Sequence, residues 1–302
     1  MNEYNINDCL ILTVVIVSYP RIVRISLFPI KSLDSIEVNQ TTLLSSGALL
    51  YDRQFAIVDE KGRFVNGKRN PKVHLLRSLY SLEKKTVSFQ TPDAKDAEVF
   101  QLDSNEKSMD TRPSGAMDTG PFWAMDTRPF WAIAIYLSNF FGFPVQLQEN
   151  LVTGFPDDTE SPGPTIISTA TLREISSWFS GISLDEMRRR LRANIEIDGN
   201  IPPFWEDRLF STVGNSVSFT LGNVNFLGVN PCQRCVVPTR DSFTGEPYPD
   251  FQKIFLMKRK QTLPTWANTS WFNHFYRLSI NTRLGLPEVG KTLQVGDELR
   301  LK

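Results

Sequence analysis

Two of the three cysteines in the chain lie three residues apart, and they are the side chains best suited to chemistry. Cys232 and Cys235 occur in the segment NPCQRCVVPTRDSFTG at 230–245, whereas the third cysteine is Cys9. A C-x-x-C pair can supply half of a zinc site, form a redox disulfide or provide one metal-binding thiolate. The neighbouring Arg234 favours the thiolate form of Cys235.

The surrounding sequence weighs against the first two of these alternatives. No second C-x-x-C occurs, so a zinc site would need distant carboxylates or the two histidines, His74 and His274. Both histidines lack an assignable partner and are expected to be core or surface residues. A thioredoxin-type pair opens a helix after a strand, but here Pro231 precedes the pair and an extended V-V-P follows it. A single soft thiolate would suit a metal such as molybdenum.

The counts of cysteines and charged residues exclude several classes of protein. Three cysteines cannot form a four-cysteine cluster or a framework of several disulfides, and we therefore expect a cytoplasmic protein. The 302 residues include 33 Lys plus Arg and 33 Asp plus Glu, so the formal net charge is zero. We therefore expect no nucleic-acid partner. An anionic ligand would have to be bound by a few local basic residues.

A phosphate-loop motif near the carboxyl end is misleading. GLPEVGKT at 285–292 matches G-x-x-x-x-G-K-[ST], which binds phosphates only between a buried strand and a helix. Only ten residues follow Thr292, and they alternate like a strand. We therefore predict a turn between strands.

The elements that position the cysteine pair belong to a mixed α+β, mostly β, chain. Short strands separated by turns are predicted up to about residue 105, as in a small barrel or sandwich. The predicted strand segments are RIVRISLF (21–28), ALLYDRQFAIVDE (48–60), GRFVNG (62–67), LLRSLYSLEK (75–84), TVSFQT (86–91) and EVFQL (98–102). Before them, the apolar run at 9–19 is too short to span a bilayer, and its composition predicts a strand. We therefore expect no stable membrane span.

Three consecutive octads, SMDTRPSG, AMDTGPFW and AMDTRPFW, occupy 108–131. Each contains an Asp and a Pro, which favour turns over helix. The octads are predicted to form a duplicated surface loop; the alternative is that their Phe-Trp pairs form a docking surface for a partner.

Three helices are predicted in the middle of the chain. The first is AIAIYLSNFFG, closed by Gly142. A second begins near Ser168 and carries Leu172, Ile175 and Phe179 on one face. The third opens with SLDE at 183–186, in which Ser183 would accept an amide and Glu186 would reach back, and it ends in the basic RRRLR.

Several ordered motifs resemble one known family. RCVVPTRDSFTG resembles the cofactor cysteine segment of MOSC domains, named after the C-terminal domain of molybdenum-cofactor sulfurase. LFPIKSLDSIEV and GALLYDRQFAIVDEKGRFVNGKRNPK are similar to the β-barrel domain that precedes MOSC in the subfamily of the amidoxime-reducing component, and LRANIEIDG and VGDELRL also fit. The resemblance covers about 24–302 except the octads. It implies an N-terminal barrel domain and a MOSC barrel domain with a few helices.

The resulting domain prediction has four parts. They are an N-terminal extension (1–20), the MOSC N-terminal barrel domain (21–107), the three-octad insert (108–131), and helices with the MOSC domain (132–302).

The same resemblance implies a set of site residues. Cys235 would ligate molybdenum and act as the catalytic residue, with Cys232 as an auxiliary or inert thiol. Basic and amide side chains would hold the pterin and its phosphate: Lys31, Ser32, Arg53, Arg192, Asn194 and Arg234. Ser161 in ESPGPTIIST is a further candidate, and Gln233 stands where some relatives carry a small hydroxyl residue. Taken singly, Lys31 or Arg53 could be an ordinary turn or strand-surface residue.

The resemblance also implies an activity. Relatives with this domain pair reduce N-hydroxylated compounds, so the chain would bind the molybdenum cofactor and a small-molecule substrate. Electrons would come from a separate ferredoxin- or flavoprotein-type donor protein. The alternatives are a cofactor carrier or sulfur-transfer module without its own turnover, and a binding-only module. The sulfurase links the family to pyridoxal phosphate, but no lysine here can be assigned to a Schiff base.

Overall fold

The computed structural model describes residues 19–103, 130–285 and 288–302. Within these ranges the chain forms fifteen strands and four α-helices, so the predicted mostly-β fold is confirmed. The strands are β1 (Arg21–Leu27), β2 (Ile36–Val38), β3 (Gln40–Thr42), β4 (Phe55–Asp59), β5 (Arg77–Ser81), β6 (Thr86–Gln90), β7 (Glu98–Gln101), β8 (Val145–Glu149), β9 (Ile166–Ser168), β10 (Ile195–Asp198), β11 (Val217–Leu221), β12 (Val224–Gln233), β13 (Arg277–Leu284), β14 (Thr292–Gln294) and β15 (Leu299–Leu301). The helices are α1 (Trp131–Phe141), α2 (Thr169–Ser177), α3 (Leu184–Leu191) and α4 (Phe251–Gln261).

An eight-stranded sheet with the order β15-β11-β12-β13-β9-β10-β1-β2 organises the structure. The strand nearest the amino terminus, β1, pairs antiparallel with β10, and Ile25 lies opposite Ile195. The inward residues of β1 therefore pack with residues from the carboxyl-terminal half. This core includes Ile22, Ile25, Ile195, Ile280 and Leu299, all buried.

A second core lies beneath the smaller sheets β4-β8 and β5-β6-β7. Helix α1 contributes Ile133, Leu137 and Phe141 to it. The helix ends as predicted at Gly142. The left-handed backbone of this glycine, with a φ of 83°, turns the chain toward β8. Strand β8 then pairs antiparallel with β4, more than eighty residues earlier in sequence.

One predicted strand segment is too long, and another is wrong. In 48–60 only β4 is a strand, because Tyr51 and Arg53 have positive φ values of 67° and 50° that interrupt an extended chain. The segment 62–67 forms no strand, and its pairing with β4 is a single isolated bridge between Phe64 and Val58. The Asp59 carboxylate accepts the amide of Arg63 at 2.9 Å and favours a turn there.

Helices α2 and α3 begin where predicted, near Ser168 and after the predicted cap Ser183. The Ser168 side chain accepts the amide of Thr171, and Ser183 accepts the amide of Glu186. The predicted return contact from Glu186 is wrong. Its carboxylate instead accepts from Arg190 at 2.6 Å and from the Ser242 hydroxyl at 2.6 Å, because these donors pack against the helix.

The described part of the phosphate-loop motif agrees with a turn between strands. Thr292 opens β14, which pairs with β3, so no helix follows the motif. Among the octads, only Phe130 and Trp131 lie in the described ranges, and Trp131 begins α1. The predictions for 1–18 and for the rest of the octads fall outside these ranges. Within them, no helix has the length and apolar character to cross a membrane.

Candidate functional site

A cavity of about 1000 Å³ opens where residues near the ends of β1, β12 and α3 meet the start of β4. Segments that are far apart in sequence line this cavity. All nine predicted site residues are among them: Lys31, Ser32, Arg53, Ser161, Arg192, Asn194, Gln233, Arg234 and Cys235. The fold thus gathers the predicted set around one space.

Three of these residues have a left-handed backbone that side chains other than glycine rarely adopt. The φ angles are 75° at Ser32, 50° at Arg53 and 54° at Arg192. Arg192 is the C-cap of α3, a position where glycine is common. Strained residues of this kind cluster at functional sites, where the surrounding structure holds them. The backbone therefore directs these side chains at a cost in stability.

Lys31 is buried on one wall of the cavity. Its Nζ donates to the Phe155 carbonyl at 2.9 Å and to Asp157 Oδ1 at 2.7 Å. Burial lowers the pKa of Lys31 despite the opposing effect of Asp157. Burial would raise the pKa of Asp157, but the charges of Lys31 and Arg53 outweigh it, and that pKa falls. The Asp157 carboxylate is therefore ionised at neutral pH.

Arg53 and Asn194 connect separate elements behind this wall. Arg53 pairs with Asp52 and donates to Asn194 Oδ1 at 3.4 Å. The same Asn194 oxygen accepts the Thr165 amide at 3.2 Å, and its Nδ2 donates to the Ser26 carbonyl at 3.1 Å. The Asn194 side chain thereby links β1 and the loop before β9 to the wall of the cavity.

Arg192 differs from its neighbours because its guanidinium forms no ion pair or hydrogen bond with the described residues. Its Nη2 is buried and unpartnered, and the group lies 4.1 Å from the centre of the Phe28 ring. Burial, followed by the charge of Arg53, lowers its pKa to about 10. A buried donor without a partner is costly. An anionic ligand in the cavity would remove that cost.

The cavity is strongly basic although the whole chain is neutral. Ten Lys and Arg side chains line it, against four Asp side chains. Five of the basic residues pair with carboxylates. The other five form no ion pair within the described ranges: Lys68, Arg192, Arg234, Arg240 and Arg277. This excess of unpaired positive charge suits an anion.

The two cysteines of the pair have different environments. Cys232 is buried at the end of β12, where its thiol contacts Asn281, and burial raises its pKa to about 11. It is therefore a protonated thiol at neutral pH. Cys235 is partly exposed and lines the cavity. No cluster of three His, Cys, Asp or Glu side chains suited to a metal ion surrounds them in the described part of the chain.

The remaining predicted residues complete the lining. Ser161 is buried with an unpartnered hydroxyl, and Gln233 is exposed at the end of β12. The backbone amide of Arg234 donates to the Tyr276 carbonyl at 2.9 Å, and its side chain donates to the Leu191 carbonyl. Arg234 thus ties the cysteine segment to the end of α3.

Sequence reasoning missed several lining residues. His74, Arg77, Arg240 and Phe243 all line the cavity. His74 was expected to be an ordinary core or surface residue, and no local pattern distinguishes it. A signal existed for Arg240, because it lies within the cysteine segment itself.

Two family models match this chain in succession. The MOSC N-terminal beta barrel domain matches residues 19–144, and the MOSC domain matches residues 165–300. The chain is a MOSC domain protein. Its cavity joins Lys31 and Arg53 of the N-terminal barrel domain to Arg192 and Cys235 of the MOSC domain.

Curated relatives of this MOSC protein are molybdenum cofactor sulfurases. The Homo sapiens protein is 24% identical over 74% of this chain, and the Danio rerio protein is 27% identical over 69%. The matched region is only 27% of each sulfurase, so the chain corresponds to about a quarter of their length. Among solved structures, the YUAD protein from Bacillus subtilis covers 94% of this chain and 96% of its own at 10% identity, with a TM-score of 0.34. That score is too low to support a conclusion.

Proposed function

We propose that this MOSC protein binds the molybdenum cofactor in the cavity and reduces N-hydroxylated compounds there. The observation that carries the proposal is the buried, unpartnered guanidinium of Arg192 in the same cavity as the accessible thiol of Cys235. A pterin cofactor that carries a phosphate suits such a cationic donor, and a soft thiolate suits its molybdenum. The names of the sulfurase relatives add support for this cofactor.

The residues present fit this group. Arg192 Nη2 and Arg234 Nε are buried donors without partners, and the Ser161 hydroxyl is a third. Lys31 and Arg53 add positive charge from the opposite domain, although each is partly neutralised by an aspartate. Cys235 would be the ligand to molybdenum, since Cys232 is buried and protonated.

The chain's own part in the reaction would be binding and positioning. When bound, the cofactor would supply two-electron redox chemistry. The overall change takes up two electrons and two protons, breaks one N–O bond, and yields the N–H product and water. Arg192 and Arg234 would fix the cofactor's anionic end, and the cavity walls would hold the substrate. A separate ferredoxin- or flavoprotein-type protein would supply the electrons.

A second candidate function is sulfur transfer or cofactor carriage without turnover. It is favoured by the relatives themselves, which are sulfurases of which this chain matches about a quarter. Both functions need the same cofactor cradle, so they share every binding residue and differ only in turnover.

Metal analysis of protein made in a molybdenum-sufficient host tests the cofactor. We expect about one molybdenum per chain, lost in Cys235→Ser and retained in the matched control Cys232→Ser. Zinc in place of molybdenum, or equal loss in both variants, would contradict the proposal.

A reductase assay then separates the two candidate functions. Fully loaded protein is mixed with an amidoxime and an artificial electron donor, and formation of the amidine is measured. Turnover supports the reductase. Loaded protein that does not turn over, but passes its cofactor to a second apoenzyme, supports carriage instead.

A further inference from the structure

Part of the cavity wall has no role in the proposed cofactor site. It is formed by His74 and Arg77 of the N-terminal barrel domain with Arg240 and Phe243 of the MOSC domain, which we call the junction cluster. The Arg77 Nη2 donates to the Ser242 carbonyl at 3.1 Å, across the boundary between the two domains. The cluster is therefore a continuous surface built from both domains.

The positive charge of the junction cluster is incompletely satisfied. Arg240 donates to the Gly245 carbonyl at 3.2 Å but forms no ion pair with any described residue, and its Nε is buried without a partner. Arg77 is paired with Asp34 at 3.2 Å, yet its Nε is also unpartnered. The Nε2 of His74 is a third unpartnered nitrogen. The two arginine Nε atoms are donors, and unpartnered donors in one wall point to a ligand with acceptor oxygens.

An aromatic surface lies beside these donors. The Phe243 ring is 48% exposed, and the guanidiniums of Arg77 and Arg189 lie 4.8 Å and 4.7 Å from its centre. These contacts hold the ring in place while leaving part of it accessible. A planar ligand can stack on such a ring.

The size of the cavity allows a second ligand. A volume of about 1000 Å³ lies at the top of the range of roughly 300–1000 Å³ found for small-molecule sites. The junction cluster and the group formed by Lys31, Arg53 and Arg192 arise from different segments. The two groups share one cavity, and the charge of Arg192 acts on His74, so a molecule bound by the first group would lie beside a cofactor held by the second.

We propose that the junction cluster binds the anionic group of a planar substrate, a carboxylate or a phosphate. Arg240 provides the unpaired charge, Arg77 and His74 provide further polar contacts, and Phe243 stacks on the planar part. The inference rests on the proposed function in taking this ligand to be the substrate. It deepens that function by assigning an acidic class of substrate.

The test compares two probes of the same shape, benzoate and benzamide, which differ in charge. Their dissociation constants are measured by ligand-observed NMR with the full chain, both molybdenum-loaded and metal-free. We expect benzoate to bind more tightly, and Arg240→Gln to weaken benzoate about tenfold while benzamide is unchanged. Arg240→Lys should restore much of the benzoate affinity. The matched control is Arg283→Gln, an exposed arginine outside the cavity.

Each outcome decides the proposal. Unchanged benzoate affinity in Arg240→Gln overturns it, provided that near-ultraviolet circular dichroism shows a folded chain. If that variant does not fold, Arg77→Gln is measured with the same two probes and the same expectation. Loss of molybdenum from the Arg240 variant also overturns the proposal, because the cluster would then belong to the cofactor. Absence of molybdenum from the wild-type chain is a failure of the proposed function alone, since benzoate selectivity is also measured on metal-free protein.

Discussion

The pKa of His74 depends on neighbouring charges that the sequence does not reveal. Burial, followed by the charges of Arg192, Arg240 and Arg77, lowers its pKa to about 4, while Asp241 acts in the opposite direction. The imidazole is therefore neutral in the folded protein at pH values where the unfolded chain begins to protonate.

This difference predicts an acid-dependent loss of stability. The folded pKa lies below the unfolded value of 6.5, so the stability contributed by neutral His74 is complete above about pH 6.5 and is lost as the pH falls toward 4. We expect His74→Gln to reduce that loss by on the order of 1 kcal/mol after solvent screening. The measurement is denaturant unfolding of metal-free protein at pH 7 and pH 4.5.

His274→Gln is the matched control for this prediction. Burial and Arg277 also lower the pKa of His274, but no cluster of three arginines surrounds it within the described residues, and we expect a smaller effect. Identical pH profiles for wild type and His74→Gln would contradict the assignment of a charged environment to His74.

At the scale of elements, close backbone contacts place the loop 150–157 against the cavity. Gly154 has a φ of 61°, and a Cβ atom on it would lie 2.7 Å from the Asp52 carbonyl oxygen. The next amide, that of Phe155, donates to the Arg53 carbonyl at 2.7 Å. These close contacts of Gly154 and Phe155 with the backbone of Asp52 and Arg53 bring Asp157 to Lys31. The loop 150–157 and the cavity wall are therefore packed together.

Gly154→Ala should therefore disturb both folding and the site. A left-handed alanine costs about 1–2 kcal/mol, and the contact with Asp52 must also open. We expect a lower midpoint of thermal unfolding together with a lower molybdenum content. Gly181→Ala is the control, since Gly181 also has a positive φ, 78°, but a Cβ atom there meets nothing within 4 Å. An equal loss of molybdenum in both variants would show that the Asp52 contact does not matter for the site.

At the scale of the whole molecule, a buried ion pair lies away from the cavity. Arg259 of α4 is 0% exposed, pairs with Asp207, and lies 4.1 Å from the centre of the Phe204 ring. Burial raises the pKa of Asp207 although Arg259 opposes this. Two charges taken out of water depend on each other, and removal of one leaves the other uncompensated.

Arg259→Met should thus destabilise the fold by about 3 kcal/mol without emptying the site. The double variant with Asp207→Asn should recover most of this loss, because neither member of this pair then leaves a buried charge behind. Denaturant unfolding of the single and double variants gives the coupling energy. Molybdenum content per folded chain serves as the control measurement. If the effects of the two substitutions on the free energy of unfolding simply added, the two charges would not depend on each other.

Much of the local structure was predictable because its signals are local. The caps of α2 and α3 and the glycine that ends α1 each depend on a few consecutive residues. The strand predictions failed at 48–54 and 62–67, where backbone turns and an aspartate override the strand propensity. The pairing of β1 with β10 had no local signal at all, because pairing partners lie about 170 residues apart.

The sequence by itself determined the residue types available for chemistry and the order of the motifs. It singled out Cys235, a few basic residues and a family resemblance that the family models confirm. Only the tertiary structure decided which charges are neutralised. Asp157 pairs with Lys31, whereas Arg192 and Arg240 lack such a partner among the described residues. The physical reason is that interactions between charges depend on distance and burial, which the folded chain sets and the order of residues does not show.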